Sequence, residues 1–502
     1  MPQKGALVMK RIIACILSWI LLLGIVGCAK ESPSTQTPTE TEEILLPVVG
    51  DGFRVGFGRS SITPQENLPL GGYGTSSTRI TEDVLDEIYV DCIALTDENN
   101  ETMLLMLTDL QRIEDSLIDM LRLSVYEATG IAQERIIISC SHTHSIPDLT
   151  LSSNEGITRY KALLMERFAE SAVTALKDSA PAEMYGGTIQ TDAMSFVRHY
   201  YHVDEEGKKH YFGDSFGTSV IDETTNHVSE AMESMRVLRF AREGAKDVVL
   251  CSFQAHPHMT GGASVTDLSS DYVGPFREAV EYELGVYCSF IQGTSGDLNE
   301  RSKLDAENFS ADKDHREYGY RLASFCVDCV QNNMTKMQTG PIQFKITNLT
   351  ATVDHSEDYK VMEANLVSQY FTQTGSHAST REFAAQYGIS STFHASAIRA
   401  KAKLGQTEEI ELANFAIGDA IGFYVAPGEI FAQSGMEMEA ASPFEITIAV
   451  CLADGDWKYF PYGECAQYDS YESDYCRFTE DTIVKMMDVW KQELNTMYEN
   501  AK

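Results

Sequence analysis

Basic residues are scarce in this chain. Thirty-nine lysines and arginines stand against 74 aspartates and glutamates, for a net charge of −35. No basic stripe exists that could displace counterions from phosphates, which excludes nucleic acid as a partner. The acidic surface keeps the protein soluble. Catalytic signatures are missing as well. No Gly-x-Ser-x-Gly elbow presents a serine nucleophile, and no His-Glu-x-x-His helix occurs. Eleven cysteines, less Cys15 and Cys28 near the N-terminus, leave nine scattered ones, an odd number that is no disulfide scaffold. Cys326 and Cys329 form a Cys-x-x-Cys, but no second pair stands at zinc-finger spacing, so both are expected as buried helix cysteines. Neither an internal repeat nor a linker follows residue 48.

What is present is ample core material. At 502 residues and 43% hydrophobic content, the chain can bury one large catalytic domain, expected over 48–502. The segment before it reads differently. Met9-Lys10-Arg11 is a basic start, residues 12–24 are apolar, and Ile25-Val26-Gly27-Cys28 is a small-residue cleavage site, so residues 1–28 are expected as a removable leader. The tetrapeptide resembles the lipobox of bacterial lipoproteins, which implies lipid on Cys28 and display at the cell envelope, outside the cytoplasmic membrane. Residues 29–47 contain the run Glu-Ser-Pro-Ser-Thr-Gln-Thr-Pro-Thr-Glu-Thr-Glu-Glu and are expected as a disordered tether.

Within the domain, a strand over 103–107, a helix over 112–129 and a strand over 135–140 form a βαβ unit with parallel strands. The second strand, Ile136-Ile137-Ile138, runs out into Ser141-His142-Thr143-His144-Ser145. Two imidazoles are thus offered at a strand end, where open α/β sheets bind ligands, and Asp109 shares that edge. Further along, helices are expected over 157–176, 275–284, 312–331 and 479–498, and strands over 53–59, 182–190, 196–203, 288–292 and 445–452. Hairpins pair 235–240 with 248–253 and, across Gly418-Asp419, 410–417 with 420–425. A mostly helical segment over 382–403 is expected to lie over the site. The class is α/β, with mixed β-sheets flanked by helices in α/β/β/α layers.

Asp109, His142, His144, His256, Asp297, Glu429 and Tyr459 all fall within a few residues of an apolar strand's end. Histidines and a carboxylate delivered by several strands are what a catalytic zinc site needs, with one position left for water. Zinc lowers the pKa of water from about 16 towards 7, so no nucleophilic side chain is required. The metallo-β-lactamase pattern is excluded, because Ser145-Ile146 stand where it needs Asp-His. The TIM-barrel amidohydrolase pattern fits poorly with the hairpins at both ends.

Residues 55–471 resemble the catalytic domain of the neutral/alkaline ceramidase family. The matching pieces, in order, are Gly56-Phe57-Gly58-Arg59-Ser60-Ser61-Ile62-Thr63-Pro64, Ser141-His142-Thr143-His144-Ser145, Ala255-His256-Pro257, Gly296-Asp297-Leu298-Asn299, Pro427-Gly428-Glu429, and Leu452-Ala453-Asp454 with Tyr459. The resemblance implies a zinc amide hydrolase that cleaves ceramide, or a related N-acyl lipid, to a fatty acid and an amine. It makes His142, His256, Glu429 and Tyr459 the zinc ligands. It places His144 and Arg198 against the substrate for positioning and proton transfer, and makes Tyr471 the stabiliser of the oxyanion. Asp109 and Asp297 are then residues that steady ligands or loops, and His258 is a loop residue or a supporting donor.

Departures from the family pattern bear on the substrate. Leu298-Asn299-Glu300 replace the family's serine, proline and asparagine, which excludes a serine nucleophile there. Ile146 and Asp148 replace glycines and are expected to reshape the pocket wall, and Val197 replaces an asparagine. The chain stops soon after Tyr459, the last of these ligands, so the family's immunoglobulin-like C-terminal domain is not expected. Two alternatives stay open: a zinc amidase or esterase on a non-lipid substrate, and a non-catalytic surface binding protein that keeps the fold.

Overall fold

Two sheets stack between layers of helix. In spatial order the larger runs Tyr287–Gln292, Val248–Phe253, Ser234–Arg242, Ala180–Gln190, Arg54–Ser61, Tyr89–Thr96, Thr102–Thr108 and Ile136–Cys140. The smaller runs Ile342–Thr352, Thr407–Ile417, Ile421–Val425 and Ile446–Val450. In this computed structural model the compact unit spans Ile44–Lys502. The structure describes residues 50–502 apart from 74–78, 214–220, 222–223, 263, 301–303, 305–313 and 469. The expected leader with its Cys28, and the tether, lie outside the described residues.

Period-two alternation along the strands builds the layers. Val90, Leu104 and Ile138 face one way and pack on Leu121, Val125, Leu164 and Phe168 of helices Asp115–Thr129 and Glu155–Lys177. Ile93, Leu105 and Ile137 face the other way and meet Phe415, Phe423 and Ile448 of the smaller sheet. Helices Val273–Leu284 and His315–Asn332 cover the rest of the larger sheet. On the far face of the smaller sheet, Met486, Trp490 and Leu494 of helix Asp481–Ala501 pack against Leu412 and Tyr424. The layering is α/β/β/α, as expected. Thr102–Thr108 and Ile136–Cys140 pair in parallel, with Leu104 opposite Ile136 and Thr108 opposite Cys140, so the βαβ unit forms.

Elements not foreseen include strands Tyr89–Thr96, Lys209–Gly213 and Ile342–Thr352, and helices Val361–Thr374 and Ala432–Ala441. Helix Asp115–Thr129 begins three residues later than expected, which leaves Gln111 and Arg112 in the loop beyond the Thr102–Thr108 strand. The 382–403 segment resolves into helices His377–Ala385 and Thr392–Lys401. Cys326 and Cys329 are buried and free in their helix.

The two edges of the larger sheet are brought together at their carboxyl ends by the chain that leaves Ile446–Val450. Cys451 N–H donates to Gln292 O on one edge strand, and Cys140 N–H on the other donates to Leu452 O. The loops carrying the expected ligands therefore leave the sheets side by side.

Candidate metal centre

His142 ends the turn that leaves Ile136–Cys140 and adopts φ +75°, a left-handed conformation that costs a non-glycine residue about 1 kcal/mol or more. Its neighbours hold it there. The His142 N–H donates to Leu110 O at 2.9 Å, and its Nδ1 lies 2.7 Å from Gln111 O. His144 Nδ1 lies 3.1 Å from Gly72 O, and His256 Nδ1 lies 3.0 Å from Leu298 O. A carbonyl can only accept, so all three rings carry their proton on Nδ1. Each Nε2 is left as a lone pair, the usual state of a metal-binding histidine.

Those lone pairs converge. One ligand nitrogen from each of His142, His144 and His256 lies within 4.8 Å of the others. Glu429 Oε2 is 3.2 Å from His142 Nε2 and 3.1 Å from His256 Nε2. Two imidazole lone pairs and a carboxylate oxygen cannot satisfy one another; a cation at their centre reconciles all three. Burial, then the Arg198 charge, pushes His256 down to about 4, and burial also lowers His144. Both are neutral near pH 7, as ligation requires.

Glu429 is placed by backbone. Its N–H donates to Lys458 O at 2.8 Å, and Glu429 pairs with Tyr459 in a short parallel bridge. Glycine precedes it for space, since a Cβ on Gly428 would fall 2.4 Å from Lys458 O. Tyr459 is buried, and its hydroxyl accepts from Arg198 Nη2 at 3.3 Å. The Tyr471 ring lies 5.7 Å from the Tyr459 ring.

The structure brings His142, His144, Glu429, Tyr459 and Tyr471 onto one cavity of about 370 Å³. His256 lies beneath them, buried. Arg198 sits behind Tyr459, at the break between strands Phe196–Val197 and His199–Val203. Its guanidinium donates to Gly296 O at 2.9 Å and pairs with Glu472 at 2.6 Å. Arg198 and His199 outweigh burial at Glu472 and hold that carboxyl down at about 2.

Asp109 and Asp297 fix loops. Asp109 accepts from Tyr89 N–H and Arg277, and Asp297, pushed up to about 6 by burial, accepts from Ala432 N–H. His258 pairs with Glu300 at 3.0 Å. Ile146, expected on the pocket wall, is buried instead in the core cluster that holds Leu149 and Ile157 of helix Glu155–Lys177. Asp148 does line the cavity.

Sequence reasoning missed Arg112, Lys458 and Arg477, which line the cavity, and Asp456 beside them. Proximity to named ligands was the available signal, since Arg112 follows the carbonyl that holds His142 and Lys458 precedes Tyr459. From the helical insertion, Phe393 and Ala397 reach the same cavity, so the segment does lie over the site.

The chain has the neutral ceramidase fold. It superposes on the crystal structure of neutral ceramidase from Pseudomonas aeruginosa with a TM-score of 0.65, covering 90% of this chain and 75% of that one at 15% identity. A ceramidase complexed with C2 gives a TM-score of 0.65 at 13% identity, with 90% and 76% covered. No family model matches the chain, and no curated protein matches it by sequence.

Proposed function

We propose that the chain is a zinc-dependent hydrolase that cleaves the amide bond of an N-acyl lipid of the ceramide type, held at the cell envelope through lipid on Cys28. One observation carries the reading: three imidazoles, two buried and the His144 ring half-buried, have their Nδ1 protons committed to carbonyls and turn their Nε2 atoms towards one another, and a carboxylate oxygen lies within 3.2 Å of two of them. The shared fold and the ordered motifs support the substrate class.

His142, His256, Glu429 and Tyr459 would hold the ion. Bound zinc supplies Lewis acidity and lowers the pKa of water towards about 7. In the hydrolysis, water adds to the acyl carbon, the C–N bond breaks, and the two hydrogens of water end on the fatty acid and the amine. His144 Nε2, which has no hydrogen-bond partner among the described residues, is placed to take a proton from the water and return it to the amine. The Tyr471 hydroxyl donates to the oxyanion. Arg198 acts through Tyr459, whose hydroxyl it holds. Phe393 and Ala397 cover the cavity and limit water.

Metal analysis of the purified protein tests this. About one zinc per chain is expected in the wild type and in His144→Ala, and almost none in His256→Ala. Less than about one per wild-type chain under metal-replete conditions would sink the reading.

A further inference from the structure

The cavity carries more positive charge than metal binding and proton transfer account for. Arg112, Lys458 and Arg477 all line it. A single buried carboxylate, Asp456, serves the three. Lys458 Nζ donates to it, Arg112 Nη1 lies 3.6 Å away, and the Arg477 charge also acts on it. The Arg477 guanidinium has no hydrogen bond or ion pair among the described residues and stands 5.6 Å from the Trp457 ring centre. The other acids on the wall are engaged: Asp148 accepts from the Thr150 N–H and hydroxyl, and Glu429 faces two histidines. The formal charges on and beside the wall balance, but Arg112 and Arg477 make no side-chain hydrogen bond among the described residues, so a surplus of cationic donors faces the cavity.

That surplus is fixed to the metal centre by backbone. Arg112 directly follows Gln111, whose carbonyl receives the His142 Nδ1 proton. Lys458 directly precedes Tyr459, and its carbonyl accepts from Glu429 N–H. Phe393 and Ala397 supply apolar surface to the same cavity. Arginine and lysine so grouped recognise carboxylate and phosphate oxygens.

We infer that the substrate is an anionic N-acyl amine, whose amine portion bears a carboxylate or phosphate held by Arg112, Lys458 and Arg477 while the acyl chain lies along Phe393 and Ala397. This rests on the amide-hydrolase reading and narrows it. Most of the acidic surface repels such a substrate, so the local cations decide where it can bind.

The test uses full-length, zinc-supplied protein and two matched pairs of amides with equal acyl chains: lauroyl-serine against lauroyl-serinol, and phosphorylated against plain ceramide. At least one anionic member should exceed its neutral partner in kcat/KM by about ten- to hundred-fold, the worth of one or two charge-assisted hydrogen bonds. The pair that shows the preference separates carboxylate from phosphate. In Arg112→Gln/Arg477→Gln the ratio should fall to about one, while exposed Arg159→Gln keeps it. Neutral members cleaved as fast as anionic ones would overturn the inference, as would a double variant that slows both members alike and leaves the ratio untouched. Should no amide be cleaved, the hydrolase reading falls, and calorimetric binding of lauroyl-serine against lauroyl-serinol still decides: tighter binding of the anion upholds the inference, equal binding overturns it.

Discussion

Consider Glu472→Gln, which keeps the shape of the side chain and removes its charge. Glu472 is buried against Arg198 at 2.6 Å and His199 at 3.2 Å. Its carboxyl falls from the ordinary 4.5 to about 2 on folding, a difference worth about 3 kcal/mol. A carboxylate with a depressed folded value stabilises the fold above its unfolded value, and that contribution disappears as pH falls through the folded one. The window is therefore about pH 4.5 down to 2. The Arg198 guanidinium left buried without its counter-charge is the same loss seen from the other partner, and it does not add to the first. Urea unfolding of both proteins at pH 7 and pH 3 measures the effect. The wild type should exceed the variant by about 3 kcal/mol at pH 7 and by about half of that at pH 3. A gap below about 1 kcal/mol at pH 7, or one equal at both pH values, refutes the reasoning.

Tyr471→Phe should lower kcat by about 100- to 1,000-fold, the usual loss of one oxyanion donor, with zinc content unchanged. Gly428→Ala drives a Cβ to 2.4 Å from Lys458 O; it should cost about 1–3 kcal/mol in thermal or urea unfolding and weaken metal retention through Glu429. Asn299→Ala should leave fatty-acid release intact, because its neighbour Leu298 supplies His256 with a backbone carbonyl; abolished hydrolysis with metal retained would reinstate that turn as a nucleophile region.

Much of the layering was legible because long apolar strands and amphipathic helices carry their period in the sequence. Tyr89–Thr96 escaped because Asp91 interrupts its apolar run, and only the fold shows that this acid meets Arg59 at 2.6 Å. Ile342–Thr352 escaped because it is a half-exposed edge strand, with polar residues throughout. Helix Val361–Thr374 presents Met362 and Leu366 to solvent and so lacks a clean polar face. At the site, His142, His144, His256 and Glu429 were legible as polar residues at strand ends. The cations were not. Arg112 and Arg477 lie in loops with no period, and their convergence on Asp456 joins segments more than 340 positions apart in sequence. Arg198 was legible as a site residue, yet its partner Glu472 shows only in three dimensions.

The central claim is that a metal held by these histidines drives amide hydrolysis. Fatty-acid release from a labelled N-acyl amine, followed before chelation, after chelation and after zinc is restored, tests it most directly. Release should stop on chelation and return with about one zinc per chain. Release that survives complete removal of the metal, or none at all at one zinc per chain with any of the four amides, would contradict it.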